Sequence, residues 1–308
     1  MSTPLTALLF LGSLSLTLAA AALFADRLDH LGPRLGLPEA IVGLLTALAA
    51  DAPEISSAVV ALARGEKDIG LGVVLGSNAF NLAAMIGISG LAAGAVTIRR
   101  RELTIEGVTA LAATLAAGLL VAGAIPAWLA LALVALLGAA YLAIVARRPA
   151  EHAGSHNEGA IWRPAALIVP AVALIVVGAV GMVHTATTLS NRWHVSHVLV
   201  GIVVLAVLTS LPNAFTAVRL ALTGRGAAVV SETFGSNSIN LVGGLIVPTL
   251  FVGLAARSAI TGFDFGWLAL MTVTALVLLA RRGGVGRAEG IALILLYAVF
   301  VAVQLAYE

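Results

Sequence analysis

Long apolar runs separated by short polar clusters dominate the chain. A run of roughly 20 apolar residues is long enough to cross a bilayer as a helix. Ten such runs lie at about 4–24, 38–63, 69–94, 103–123, 126–146, 164–184, 197–222, 227–254, 264–280 and 288–306. The pattern predicts an all-α polytopic membrane protein with ten transmembrane helices. The longest polar interruption, Arg147 to Arg163, contains Pro149, Glu151, His152, His156 and Glu158 and reads as a solvated linker. It separates 1–146, with spans 1 to 5, from 164–308, with spans 6 to 10, and leaves a cytoplasmic linker at 147–163. No basic stretch precedes the first apolar run, so that run reads as a first span and not as a cleaved signal.

Arginine placement orients the spans. Loops after spans 1, 3, 5, 7 and 9 hold Arg27, Arg34, Arg99, Arg100, Arg101, Arg147, Arg148, Arg163, Arg225, Arg281, Arg282 and Arg287, with Arg219 near the same side. The opposite loops hold Arg64, Lys67, Arg192 and Arg257. The positive-inside rule puts the first group in the cytoplasm and both termini outside.

Within this apolar frame one polar segment repeats. Ala52-Pro53-Glu54, preceded by Asp51, recurs 159 residues later as the degenerate Thr209-Ser210-Leu211-Pro212-Asn213. Each proline is followed by a second motif, Gly76-Ser77-Asn78-Ala79-Phe80-Asn81 and then Gly235-Ser236-Asn237-Ser238-Ile239-Asn240. Residues 44–82 align with 203–241 without a gap, and they share Pro53/Pro212, Gly76/Gly235, Ser77/Ser236, Asn78/Asn237 and Asn81/Asn240. Span 2 thereby matches span 7. An odd separation of five spans makes the halves inverted in the membrane, the arrangement of many secondary transporters, whose site lies near the midplane between the halves.

The repeated residues have oxygen chemistry. Pro53 cannot donate to the carbonyl of Ala49, nor Pro212 to that of Leu208, so helices 2 and 7 are expected to break there. A carbonyl freed in hydrocarbon needs a partner, which can be a cation, a hydroxyl or water; a kinked packing helix is the alternative for either proline alone. Asp51 and Glu54 share a helical face with Ser57, and the second-half equivalents are Ser210, Asn213 and Thr216. Charged groups at membrane depth mark ion or substrate pathways, and oxygen ligands suit hard cations such as calcium or sodium. Two carboxylates this close repel when both are ionised, so a cation or a proton between them is favoured. Ser77 pairs with Asn81 on one face, and Ser236 with Asn240; these are ligands or polar glue between helices. Gly76 and Gly235 are expected to let helices approach closely.

Glu232 lies on the face of Ser236 and Asn240, about 12 Å from Asn240 by helical rise. It reads either as a vestibule or proton-relay residue or as a side chain near the membrane boundary. Its first-half counterpart is Val73. His152, His156, His184, His194 and His197 fall in or beside loops without metal-ligand spacing. Trp128, Trp162, Trp193 and Trp267 fall near span ends, as interfacial residues do.

Composition agrees with this reading and excludes others. The 308 residues are 60% hydrophobic and 10% charged, with a mean hydropathy of +1.07, which excludes a soluble domain. There is no cysteine, so disulfides and thiolate chemistry are absent. The net charge of +2 forms no nucleic-acid-binding patch. Arg and Ala richness with a single lysine fits a prokaryotic inner (plasma) membrane.

The paired motifs resemble those of the calcium/cation antiporter superfamily, which includes the sodium/calcium exchangers. The resemblance spans the whole topology, although its specific signal lies in the two alpha-repeats, 44–82 and 203–241. It implies ten spans in two inverted five-helix halves, with broken helices 2 and 7. It also implies Glu54 as the central ligand, with Ser77, Asn81, Thr209, Ser210 and Ser236 completing cation sites and Ala47 and Ala206 offering backbone carbonyls. Three positions depart from the family pattern. Asn213 stands where the family has an acid, Asp51 where it often has a small hydroxyl, and Asn240 where exchangers can carry an acid. If Asp51 restores the missing charge, the site holds two acids, both from the first half.

The expected function is antiport of calcium, or another divalent cation, against sodium or protons by alternating access. A sodium/proton antiporter without calcium transport is the alternative that Asn213 and Asn240 keep open. An intramembrane hydrolase would need a nucleophile beside a base, and Ser77 and Ser236 have no histidine near them in sequence at membrane depth. The expected partners are inorganic cations and the lipid bilayer, with no cofactor and no nucleic acid; a monomer is compatible with the sequence.

Overall fold

Helices follow the apolar runs, the first and sixth running on past theirs to Arg34 and Trp193, in the computed structural model, which describes residues 2–34, 47–146, 162–253, 259–282 and 284–306. In chain order they are α1 (Thr3–Arg34), α2 (Ala52–Ala63), α3 (Lys67–Ala93), α4 (Arg100–Val121), α5 (Ala127–Ala146), α6 (Trp162–Trp193), α7 (His197–Leu222), α8 (Gly226–Val252), α9 (Ala259–Arg282) and α10 (Arg287–Ala306). Eight of them contain a stretch long and apolar enough to cross a membrane; α2 and the Ala127–Ala143 part of α5 are shorter apolar helices. A helical turn at 47–50 leads into α2, and 38–46 of the expected second span lie outside the described residues.

Side-chain character sorts the helices radially. Helix α3 is enclosed, with Ile69, Val73, Leu75, Ser77, Asn78, Asn81 and Met85 all at 1% exposure or less. It packs against α2, α7, α8 and α10. Small residues make this possible. A Cβ on Gly76 would fall 2.5 Å from the Ile202 carbonyl, and one on Gly201 would fall 2.6 Å from the Ile69 carbonyl, so only glycine allows the α3–α7 approach. The outer surface is apolar, as lipid contact requires, through residues such as Leu8, Leu115, Leu136, Val169, Phe215, Phe251 and Leu295. Helices α1 and α6 pack along one another, and a Cβ on Gly178 would meet Thr17 Oγ1 at 2.2 Å.

Three stretches wind as π-helix: Leu82–Ile88 in α3, Val200–Leu205 in α7 and Val242–Ile246 in α8. The first begins one residue after its Gly-Ser-Asn motif and the third two residues after its own, so the local backbone nearly repeats along with the sequence. Such windings are frequent at functional sites.

Two findings qualify the expected helical architecture: it carries one short β ribbon, and the seventh span does not break at its proline. β1 (Ala95–Thr97) and β2 (Gly284–Gly286) pair antiparallel, in the register Ala95↔Gly286, Val96↔Val285 and Thr97↔Gly284. This ribbon joins the α3–α4 and α9–α10 turns. Gly284 has no room for a side chain, since a Cβ would lie 2.5 Å from the Val96 carbonyl. The start of α8 sits on the same ribbon, where a Cβ on Gly226 would lie 2.5 Å from Thr97 N. The two prolines also differ. Pro53 follows a one-residue interruption at Asp51, between the 47–50 turn and α2, whereas Pro212 lies inside the continuous α-helix Ala206–Leu222. One proline removes one ladder hydrogen bond, and packed neighbours in a bundle can absorb that without opening the helix.

Candidate cation site

Asp51 and Glu54 meet the second half of the chain where α2 faces α7 and α8. Asp51 is the last residue before α2, and Pro53 and Glu54 lie in its first turn. Both carboxylates are 1% exposed. Asp51 Oδ1 accepts from Asn213 Nδ2 at 2.8 Å and from Ser236 Oγ at 2.5 Å. Glu54 Oε1 accepts from Ser210 Oγ at 2.8 Å, with Asn213 Nδ2 at 3.5 Å. The amide of Asn213 therefore lies between the two acids. Every one of these donors comes from the second Pro or Gly-Ser-Asn segment, so the degenerate repeat supplies the neutral complement of an acidic one.

The network continues through the Gly-Ser-Asn segments. Asn81 Nδ2 donates to Ser236 Oγ at 3.2 Å and to Asn237 Oδ1 at 3.1 Å. Asn78 Nδ2 donates to the Asn237 carbonyl at 3.1 Å, and Asn237 Nδ2 returns a bond to the Asn78 carbonyl at 3.0 Å. Thr209 Oγ1 donates to the Leu205 carbonyl at 2.8 Å and Ser77 Oγ to that of Val74 at 3.2 Å. Their hydroxyl protons are thus committed to their own helices, which leaves oxygen lone pairs as acceptors. The Ala47 carbonyl accepts from Asp51 N at 3.0 Å, and the Ala206 carbonyl from Thr209 Oγ1 at 3.3 Å.

What these bonds leave over is mostly acceptor. Asp51 Oδ2, Glu54 Oε2, Asn78 Oδ1 and Asn81 Oδ1 are buried acceptors that receive no hydrogen bond within the protein; both polar atoms of Asn240 are likewise buried and unbonded. Among the described residues no basic side chain forms an ion pair with either carboxylate. A buried carboxylate without a counter-charge is strongly unfavourable, and surplus acceptors are satisfied only by a proton donor or a cation. Hydroxyl, amide and carboxylate oxygens together make a donor set for a hard cation. Two acids crosslinked to a second set of helices can also couple occupancy to how those helices sit.

The structure thus brings together Asp51, Glu54, Asn81, Ser210, Asn213 and Ser236. Ser77, Thr209, Ala47 and Ala206 bond within their own helices. Glu232, half-buried, stands one turn from Ser236 on α8. Gly235 does not make the close approach expected of it, since a Cβ there would meet nothing within 4 Å. His184 lies inside α6 and not beside a loop, because that helix runs on to Trp193. His152 and His156 lie outside the described residues.

Sequence reasoning missed three buried polar groups. Asn237, one residue from a chosen ligand, anchors both Asn78 and Asn81. Gln304 of α10 donates to Asp264 of α9, both buried. Tyr141 of α5 donates to the buried Glu106 of α4 at 3.1 Å. Asp264 and Glu106 are acids inside or at the edge of apolar runs, which is the signal that singled out Asp51.

Comparison with known proteins places this architecture. The family described as "Sodium/calcium exchanger protein" matches residues 5–146 and 164–306. The putative antiporter CaxA of Alkalimonas amylolytica is 27% identical over 301 residues, covering 92% of this chain and 93% of that protein. The inner membrane protein YrbG of Escherichia coli (strain K12) is 27% identical over 312 residues, covering 94% of this chain and 93% of that protein. The solved structure of the H+/Ca2+ exchanger CAX superposes with a TM-score of 0.76 at 15% identity, covering 98% of this chain and 86% of that one, a likeness of fold. With both alpha-repeats inside the matched residues, the chain belongs to the sodium/calcium exchanger protein family.

Proposed function

We propose that this protein is a secondary antiporter that exchanges calcium, or another divalent cation, for sodium or protons by alternating access. Its halves, 1–146 and 164–308, form ten crossings as two inverted sets of five, joined by a cytoplasmic linker at 147–163, with both termini outside an inner (plasma) membrane. The arginine distribution supports that orientation, and the inner-membrane name of YrbG supports the location.

One observation carries the reading: two buried carboxylates of the first half, Asp51 and Glu54, are bridged by the Asn213 amide of the second half. The family pattern that the sequence resembles has an acid after each proline. Here Asp51 supplies the second charge from the first half and Asn213 faces it as a neutral partner, so a divalent cation is still matched by two negative charges. Glu54, Asp51, Ser210, Ser236, Asn81 and Asn213 form the primary ligand set. Ser77, Thr209, Asn240 and the Ala47 and Ala206 carbonyls are the outer oxygens. Coupling follows from mutual exclusion, because the same carboxylates hold the divalent ion, the sodium ions or the protons, but not all together.

The test is calcium uptake into proteoliposomes of the purified protein under an outward sodium gradient and, separately, an outward proton gradient. Uptake under either establishes calcium exchange and identifies the coupling ion. The amides at 213 and 240 favour a second reading, sodium/proton antiport. In that case neither gradient moves calcium, while sodium flux follows the proton gradient.

A further inference from the structure

The two Gly-Ser-Asn helices are related by sequence, yet their surroundings differ. On α3, Val73 is fully buried and Gly76 is pressed against Ile202 and Ala206 of α7. Gly72 is sealed the same way, since a Cβ there would lie 2.9 Å from the Val198 carbonyl. On α8 the matching positions are Ser231, Glu232 and Gly235. Ser231, Glu232 and Gly235 are each half-buried, and there is open space beside Gly235. The site is thus sealed along α3 at Gly72, Val73 and Gly76, whereas along α8 the matching positions are partly exposed, with open space beside Gly235.

Glu232 stands on that open side. It lies one turn, about 6 Å of helical rise, before Ser236, whose hydroxyl donates to Asp51 at 2.5 Å. It also lies within electrostatic reach of Asp51. In the other direction, α8 starts at Gly226 against Thr97 of the β1–β2 ribbon. The ends there carry the exposed Arg99, Arg100, Arg101, Arg225, Arg281 and Arg287. A face so rich in arginine repels cations, and a carboxylate between that face and the site reverses the local field. An acid within a membrane-spanning helix marks an ion path by default, and the repeat does not carry this one over, since its counterpart on α3 is the buried Val73.

We propose that the open side of α8 is the passage between the central site and the arginine-rich face, and that Glu232 is its cation-capturing carboxylate. Ions arriving from that face meet Glu232 before Asp51, whereas ions from the opposite face do not. The inference rests on the central cation site proposed above, but its test has an arm that does not depend on transport.

The chain has no cysteine, so single thiols can be introduced on a clean background. Glu232→Cys and Val73→Cys are treated in oriented membrane vesicles with a charged, membrane-impermeant thiol reagent from each face in turn. Labelling of Glu232→Cys from the arginine-rich face alone, with Val73→Cys unlabelled from either, is expected. Labelling from the opposite face, or from neither in folded protein, overturns the passage. The second arm measures half-saturating calcium and sodium for flux at each face in Glu232→Gln and Glu232→Asp. Glu232→Gln is expected to raise the value about tenfold at the arginine-rich face only, with Glu232→Asp near wild type. An equal change at both faces, or none, overturns the capturing role. If the wild-type protein moves neither ion, the central reading fails while the labelling still decides the passage.

Discussion

Asn78 and Asn237 hold each other by reciprocal bonds, each side-chain amide donating to the other's backbone carbonyl at 3.1 and 3.0 Å. They occupy equivalent places in the two Gly-Ser-Asn motifs, so the contact is one that a two-fold relation between the motifs would produce. It staples α3 to α8 beside the acids. Asn237 also accepts from Asn81 at 3.1 Å, and the two residues are therefore not equal in consequence. Removing one partner of a buried hydrogen bond costs about 1–3 kcal/mol. Asn78→Ala should lower the melting temperature of the detergent-purified protein, and Asn237→Ala should lower it further, because Asn81 also loses an acceptor. No effect from either would show that the staple is not formed, and equal effects that the Asn81 bond adds nothing to it.

Asp51→Asn and Glu54→Gln should separate function from stability. A hydrogen bond or contact to a charged group is worth about 1.5–3 kcal/mol, so cation affinity should fall at least about tenfold in each. Neither variant should be less stable than wild type in the absence of added cation, because each removes a buried charge that no basic group among the described residues offsets. Flux assays and thermal melts on the same preparations check both halves. Wild-type flux in both variants would end the site assignment.

The relocated charge can be moved back. Asp51→Ser with Asn213→Glu returns an acid to the position after the second proline and removes the one before the first. Because Asp51 and Asn213 are in direct contact at 2.8 Å, the pair should recover a large part of the flux that Asp51→Ser alone loses. A double variant no better than the single one would mean that Asp51 does not stand in for a second-half acid.

Protons should compete with the cation. Carboxylate ligands bind metal in their ionised form, so the half-saturating concentration should rise as the pH falls. With Glu54→Gln one competing carboxylate is gone, and whatever binding remains should vary less with pH. A pH series of cation-binding isotherms for the two proteins reads this directly. An unchanged slope would place the titrating group elsewhere.

The two motif glycines should respond oppositely to the same change. Gly76→Ala puts a methyl group 2.5 Å from the Ile202 carbonyl, whereas Gly235→Ala meets nothing within 4 Å. The first should lower the yield of folded protein and its melting temperature. The second should be neutral or gain up to about 1 kcal/mol from helix propensity. Similar melting temperatures for the two variants would contradict the packing described.

The contrast between these glycines also shows where sequence stops being informative. Gly76 and Gly235 sit in nearly identical local sequence, and only their neighbours across the bundle differ. The helices themselves were legible because a bilayer demands about 20 apolar residues per crossing. Asp51 and Glu54 were legible because a charge inside such a run is too costly to be incidental. The continuous helix through Pro212 was not, since whether a proline opens a helix depends on which neighbours compensate for the lost bond. The π-helical turns were not legible either, because they change hydrogen-bond register without changing residue type. Asp264 and Gln304 stood near the outer ends of two neighbouring runs, 40 residues apart in sequence, and only folding of α9 onto α10 made them a pair.

Calorimetric titration of calcium and sodium into purified wild type, Glu54→Gln and Ser210→Ala tests the cation site most directly. The site described here predicts calcium binding by the wild type that sodium displaces, weakened binding in Ser210→Ala, and binding weakened at least about tenfold in Glu54→Gln. Undiminished calcium binding by folded Glu54→Gln, or no binding of either ion by folded wild type, would contradict it.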